Sequence, residues 1–166
     1  MQIRDGYRGT ATLGAGDLRI ASRRGVDMAA WFPELAGLAS ALGGHQAVLD
    51  GELVALDQAG RPDFTALQQR TRARGRPTRR PAGLTPVTYL VFDLLWLDGR
   101  LLLGLPWAER RAQLEALELA GPAWQTTPTF VDQGDLVVAA TREQGLEGVV
   151  AKRLGSPYRP GRRHPD

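Results

Sequence analysis

No cysteine occurs in the 166 residues, so disulfides and thiolate metal sites are excluded. Lysine is almost as scarce, since Lys152 is the only one among 21 basic side chains and the rest are arginine. No apolar run approaches the roughly 18 to 20 residues of a membrane span. The first residues show no charged-then-apolar export pattern, and a reducing cytosol with no membrane association is the expected setting. Aromatic residues make up only 7% of the chain, yet 43% of residues are hydrophobic, enough for one globular domain with a real core. The formal net charge is a modest +3, and the arginine bias says more than the sum. A guanidinium grips phosphate bidentately, which suits nucleotide or nucleic-acid partners, although GC-rich coding produces the same skew.

The apolar pattern predicts short strands over Tyr7 to Leu13 and Asp17 to Ala21, joined by a Gly14-Ala15-Gly16 turn. Met28 to Leu42 carries apolar residues at helical spacing, with Pro33 placed to break it. Ala47 to Leu56 alternates as a strand, with Asp50 and Glu52 on the face of Val48 and Val54. Phe64 to Arg70 reads as a short helix. Arg70, Arg72, Arg74, Arg76, Arg79 and Arg80 then form a basic stretch with Gly75 and Pro77, read as a loop. Val87 to Leu97 is almost wholly apolar around Asp93, as a central strand should be. Pro106 to Leu119 predicts a helix with Glu109, Arg110 and Arg111 exposed and Leu114 and Leu117 inward. Gln133 to Gly145 reads as another helix and Gly148 to Lys152 as a last strand. The fold class expected is α+β, with mainly antiparallel sheets and flanking helices.

Four stretches carry the chemistry: Asp5-Gly6-Tyr7-Arg8, Val48 to Ala55 with Asp50-Gly51-Glu52, Tyr89 to Leu95 with Phe92-Asp93, and Glu147 to Arg153. With Ser22-Arg23-Arg24-Gly25, Gly60 to Gln68, and Ser156-Pro157-Tyr158 leading into Pro160 to Arg163, their order and spacing resemble the adenylation domain of ATP-dependent DNA ligases. The linking text is most similar to bacterial ligases of the end-joining type. The resemblance implies an ATP-grasp-like nucleotidyltransferase fold and a role in DNA repair and recombination. It also implies a three-step reaction: a lysine takes AMP from ATP, AMP moves to a DNA 5′-phosphate, and a 3′-hydroxyl displaces it at a nick or break. Charge grows on the phosphate oxygens at each step, so ATP and Mg²⁺ are the implied cofactors.

Carried over by position, the resemblance makes Phe92 the adenine-stacking aromatic and Lys152 the lysine that faces nucleotide phosphate. Glu52 corresponds to a ribose or metal contact and Glu147 to a metal ligand. Arg8 and Arg23 match arginines near the ribose and the DNA phosphate. The arginines from Arg70 to Arg80 are the DNA-contacting candidates from composition. One departure is decisive: the family reads Lys-x-Asp-Gly-x-Arg where this chain reads Ile3-Arg4-Asp5-Gly6-Tyr7-Arg8, so Ile3 stands at the nucleophile position. An isoleucine has no lone pair to attack phosphorus. The expectation is therefore a partial adenylation domain over residues 1–166, short at both ends and without the OB-fold domain, inactive alone. Alternatives are a nucleotide- or DNA-binding module derived from a ligase, and another covalent nucleotidyltransferase such as an RNA ligase or capping enzyme.

Overall fold

The computed structural model describes residues 2–3, 6–72, 86–143 and 148–161, with side chains from residue 6 onward. Seven strands form one sheet in the order β3-β2-β4-β5-β8-β7, with β6 on β5. They are β2 (Tyr7–Gly14), β3 (Asp17–Ser22), β4 (Ala47–Ala55), β5 (Val87–Leu97), β6 (Arg100–Leu101), β7 (Ala120–Gly121) and β8 (Trp124–Thr126). Every pairing in it is antiparallel except β5 with β8, which is parallel and connected through α3 (Trp107–Ala116). A separate two-stranded ladder joins β1 (Gln2–Ile3) to β9 (Gly148–Val149). The remaining helices are α1 (Leu38–Ala41), α2 (Phe64–Arg72) and α4 (Gly134–Glu143).

The two long strands match their predicted spans because their patterns are unambiguous: β4 alternates and β5 is apolar throughout. The predicted helix over Met28 to Leu42 is instead three short pieces, the 3₁₀ turns Ala29–Trp31 and Pro33–Leu35 followed by α1. Pro33 cannot donate to the preceding turn, and Gly43 and Gly44, both at positive φ, end the last piece. Even so, Phe32, Leu35 and Leu38 join the core formed with Ala11, Ile20, Leu49, Leu53, Tyr89 and Val91.

The sheet is braced from within. Tyr89 is fully buried and its hydroxyl lies 2.8 Å from the Gly9 carbonyl and 3.3 Å from that of Leu49, tying β5 to β2 and β4. Burial pushes the phenol well above its ordinary value. Gly51 leaves room for that ring, since a Cβ there would stand 2.6 Å from Tyr89 Cε2 and from the Leu90 carbonyl oxygen. The glycine of Asp50-Gly51-Glu52 is thus a packing requirement, and the acids on either side of it project from the opposite face of the strand.

Candidate active site

Asp50 and Asp93 face each other directly across β4 and β5, at 0% and 1% exposure. Two like charges opposite one another repel, and buried carboxylates need partners. Three cations supply them. Arg8 on β2 forms a two-pronged pair with Asp50 at 3.1 and 2.6 Å, which raises the guanidinium further above its already high range. Arg110 on α3 clamps both oxygens of Asp93 at 2.8 and 3.0 Å. Lys152 Nζ donates to Asp93 Oδ2 at 3.1 Å. Tyr158 closes the cluster, donating to Asp50 Oδ2 at 2.8 Å and accepting from Arg8 at 3.1 Å. Burial, reinforced by the Asp50 charge, pushes its phenol up, so Tyr158 stays a donor at neutral pH.

Phe92 reaches this cluster through a break in the ladder. Asp50 pairs with Asp93 but Gly51 pairs with Val91, which leaves Phe92 as the extra residue of a bulge in β5. A bulge re-aims a side chain without ending the strand. As a result Phe92 and its neighbour Asp93, which strict alternation would send to opposite faces, both meet Lys152. The ammonium lies 5.1 Å from the Phe92 ring centroid, and Arg8 Cζ lies 5.6 Å from the same ring. Lys152 also stands 5.7 Å from the Trp107 ring. The segment that carries Lys152 is pinned to α3 by Ala108 N donating to the Leu154 carbonyl and Arg110 donating to the Ser156 carbonyl, and to the turn before α3 by Tyr158 N donating to the Leu103 carbonyl.

Burial lowers the Lys152 pKa, and Asp93 opposes that shift without cancelling it. Because Lys152 is the only lysine, reductive carbon-13 methylation should give one ε-amine resonance for it. Its titration midpoint should lie below that of a free lysine. In Asp93→Asn the midpoint should fall further, because the opposing charge is gone; a midpoint that rises would contradict the balance described here.

Arg23 and Arg8 line a broad open cleft of about 990 Å³, together with Thr10, Thr12, Trp96 and Tyr158. Lys152 and Phe92 line a smaller one of about 250 Å³. Glu52 lines neither cleft. It is half-buried on β4 opposite Arg8 in the ladder, although Arg8 turns its guanidinium to Asp50. Glu147, Arg74, Arg76, Arg79 and Arg80 lie outside the described residues, as does the side chain of Ile3. The backbone of Ile3 pairs with Gly148, which puts the nucleophile position on β1, beside the strand that precedes Lys152.

Arg70 departs from the expected basic loop. It is a buried residue of α2, its side chain 2.9 Å from the equally buried side chain of Glu34 and bonded to the Trp31 carbonyl, so its guanidinium is engaged inside the fold. Arg72, two residues on, is exposed. Arg110 and Arg111 reverse their expectation too, at 2% and 6% exposure. The missed signal was a buried partner: Asp93 in an apolar strand demanded a cation, and the sequence did not say which.

The chain matches the family described as ATP dependent DNA ligase domain over residues 4–166. It is 44% identical over 160 residues to the multifunctional non-homologous end joining DNA repair protein LigD of Mycobacterium tuberculosis, covering 96% of this chain and 19% of that protein. DNA ligase C2 of Mycolicibacterium smegmatis is 36% identical over 166 residues, covering 96% of this chain and 46% of that ligase. The crystal structure of the ligase domain of M. tuberculosis LigD superposes with a TM-score of 0.82 at 41% identity, covering 99% of this chain and 51% of that one. A mycobacterial DNA ligase D complexed with ATP and MES gives 0.81 at 40% identity, with 99% and 50% covered. The chain thus spans about half of those solved ligase chains and about a fifth of the LigD protein. This mixed, mainly antiparallel sheet with its flanking helices is the fold of an ATP-dependent DNA ligase domain, and the chain belongs to that family.

Proposed function

We propose that residues 1–166 are the adenylation part of an end-joining DNA ligase that holds ATP, with Ile3 leaving it unable to take up AMP covalently. The observation that carries this reading is the convergence of Arg8 and Lys152 on the Phe92 ring, each anchored on its own buried carboxylate. An aromatic face flanked by two fixed cations suits a purine nucleotide: the ring takes the base and the cations take ribose and phosphate oxygens. Three cations against two carboxylates leave a net positive focus, which favours an anionic ligand over a neutral one.

Mg²⁺ fits this site only with help from the nucleotide. Among the described residues no cluster of three or more acidic or histidine side chains is placed to hold a metal ion. Asp50 and Asp93 are engaged by Arg8, Arg110 and Lys152, and the family resemblance offers Glu52 and Glu147, with phosphate oxygens, as the acids that would hold it. Bound there, the ion would supply charge to the phosphate oxygens during transfer.

Calorimetry with ATP tests the reading. The unaltered chain should bind, and Phe92→Ala and Lys152→Met should each weaken binding by about tenfold, equivalent to ~1.4 kcal/mol. Equal affinity in all three proteins would remove Phe92 and Lys152 from the site.

DNA is the proposed second ligand, met by Arg23 in the broad cleft and by Arg72, Arg74, Arg76, Arg79 and Arg80. Replacing the five arginines from Arg72 to Arg80 with glutamine should weaken duplex binding and flatten its salt dependence by nearly one power of salt for each phosphate no longer neutralised. An unchanged salt slope would show that the stretch does not touch DNA. No helix among the described residues is long and apolar enough to cross a membrane.

A further inference from the structure

Tyr158 touches both halves of the charged cluster. Its hydroxyl meets Asp50 and Arg8 at 2.8 and 3.1 Å, while the Arg110 guanidinium that clamps Asp93 lies 5.7 Å from the centroid of its ring. The donors present fix the direction of each bond. A guanidinium has only hydrogens to offer and an ionised carboxylate only lone pairs. The single phenolic hydrogen therefore goes to Asp50, and a lone pair of the same oxygen receives Arg8 Nη2. Arg8 thereby commits its Nε hydrogen to Asp50 Oδ1 and its two Nη2 hydrogens to Asp50 Oδ2 and Tyr158. These bonds leave the Nη1 hydrogens to a ligand or to water. They belong to a side chain that is 59% exposed, with Cζ 5.6 Å from the Phe92 ring centroid.

We propose that Tyr158 is a positioning residue for the nucleotide site: its hydroxyl holds Arg8 Nη2 against Asp50 so that Nη1 is presented to a ribose or phosphate oxygen. Nucleotide affinity then depends on a phenol that does not itself touch the nucleotide. The inference rests on the nucleotide-binding reading above and gives a task to a residue that reading leaves out. Without the hydroxyl, Arg8 Nη2 loses an acceptor and the fully buried Asp50 loses a donor. The freed Nη2 hydrogen turns to water, and the fork on Asp50 alone holds the exposed guanidinium less firmly. The seat of Tyr158 is itself fixed, since its N–H donates to the Leu103 carbonyl at 2.8 Å and its ring lies against Arg110. The phenol is thus carried by the segment that also bears Lys152, and the guanidinium it steadies is carried by β2. Tyr158 makes the two cations over the Phe92 ring parts of one arrangement.

Tyr158→Phe keeps the ring on Arg110 and removes only the hydroxyl. Its ATP affinity, measured by calorimetry, should fall about fivefold, on the scale of one hydrogen bond. In an Arg8→Gln background the same change should have no effect, because the residue through which Tyr158 acts is gone. In a Lys152→Met background the loss should persist in full. Melting temperatures show that each variant is folded. Nitrogen-15 spectra of the ligand-free chain read the positioning itself: the two Arg8 Nη resonances should be separate in the unaltered chain and averaged by rotation in Tyr158→Phe. Equal ATP affinity in Tyr158→Phe, a loss that persists without Arg8, or Arg8 resonances alike in both chains would overturn the role of Tyr158 and leave the nucleotide reading intact. Absence of any ATP binding by the unaltered chain would overturn the nucleotide reading and this role with it.

Discussion

Replacing Ile3 with lysine is expected to give a chain that gains one AMP on incubation with ATP and Mg²⁺, whereas the unaltered chain gains none. The reaction needs an amine lone pair aligned on the α-phosphorus, and the isoleucine offers only hydrocarbon. Neither neighbouring cation substitutes for it. Arginine holds its lone pair in resonance and stays protonated. Lys152 is held on Asp93 at 3.1 Å and over two aromatic rings, and in-line geometry tolerates little misplacement. The introduced lysine, by contrast, would enter on β1, whose backbone pairs with Gly148 on the strand leading to Lys152. Intact mass with peptide mapping reads the result. An adduct on the unaltered chain would show that some other residue is the acceptor, and no adduct in the variant would show that position 3 does not reach the nucleotide.

Asp93→Asn should cost about 3–5 kcal/mol of folding stability, the range for removing one partner of a buried ion pair. The figure follows from what is left behind: Arg110, 2% exposed, would keep its charge with no carboxylate to meet it. Its remaining acceptors, the Leu105 and Ser156 carbonyls, are neutral. Replacing both residues together by apolar ones of similar size should restore much of the loss, because the uncompensated charge goes with the pair. Urea unfolding of the single and double variants separates these cases. A single variant within about 1 kcal/mol of the unaltered chain would mean that water reaches Arg110, and that Asp93 is not the buried anchor described here.

The fold was readable where the local pattern was strong. β5 was bounded correctly at Val87 and Leu97 because eleven mostly apolar residues between polar flanks have few alternatives. β8 escaped notice because its three residues, Trp124 to Thr126, carry no periodicity. It is a strand only because Tyr89 to Val91 lie beside it in parallel register. The site was legible in a similar proportion. Phe92 and Lys152 were found by resemblance and do meet. The bulge that brings them together depends on how β5 is paired with β4, and pairing is a property of two strands at once. Arg110 and Arg111 looked like surface charges on an amphipathic helix. Their burial is decided by Asp93 and the Thr127 carbonyl, which approach from elsewhere in the chain and which helical spacing does not encode.

The two halves of the site hang on different supports. Phe92 and Asp93 ride on β5, the central strand, hydrogen-bonded to β4, β6 and β8, so their amides should exchange with solvent only when the whole domain opens. Lys152 follows β9, whose ladder with β1 is two residues long. Opening that ladder would still leave Lys152 on Asp93 and its segment pinned to α3 and the turn before it through Leu154, Ser156 and Tyr158. A ligand arriving at this protein would thus find both the ring and the cation already in place, the one carried by the sheet and the other fastened to α3.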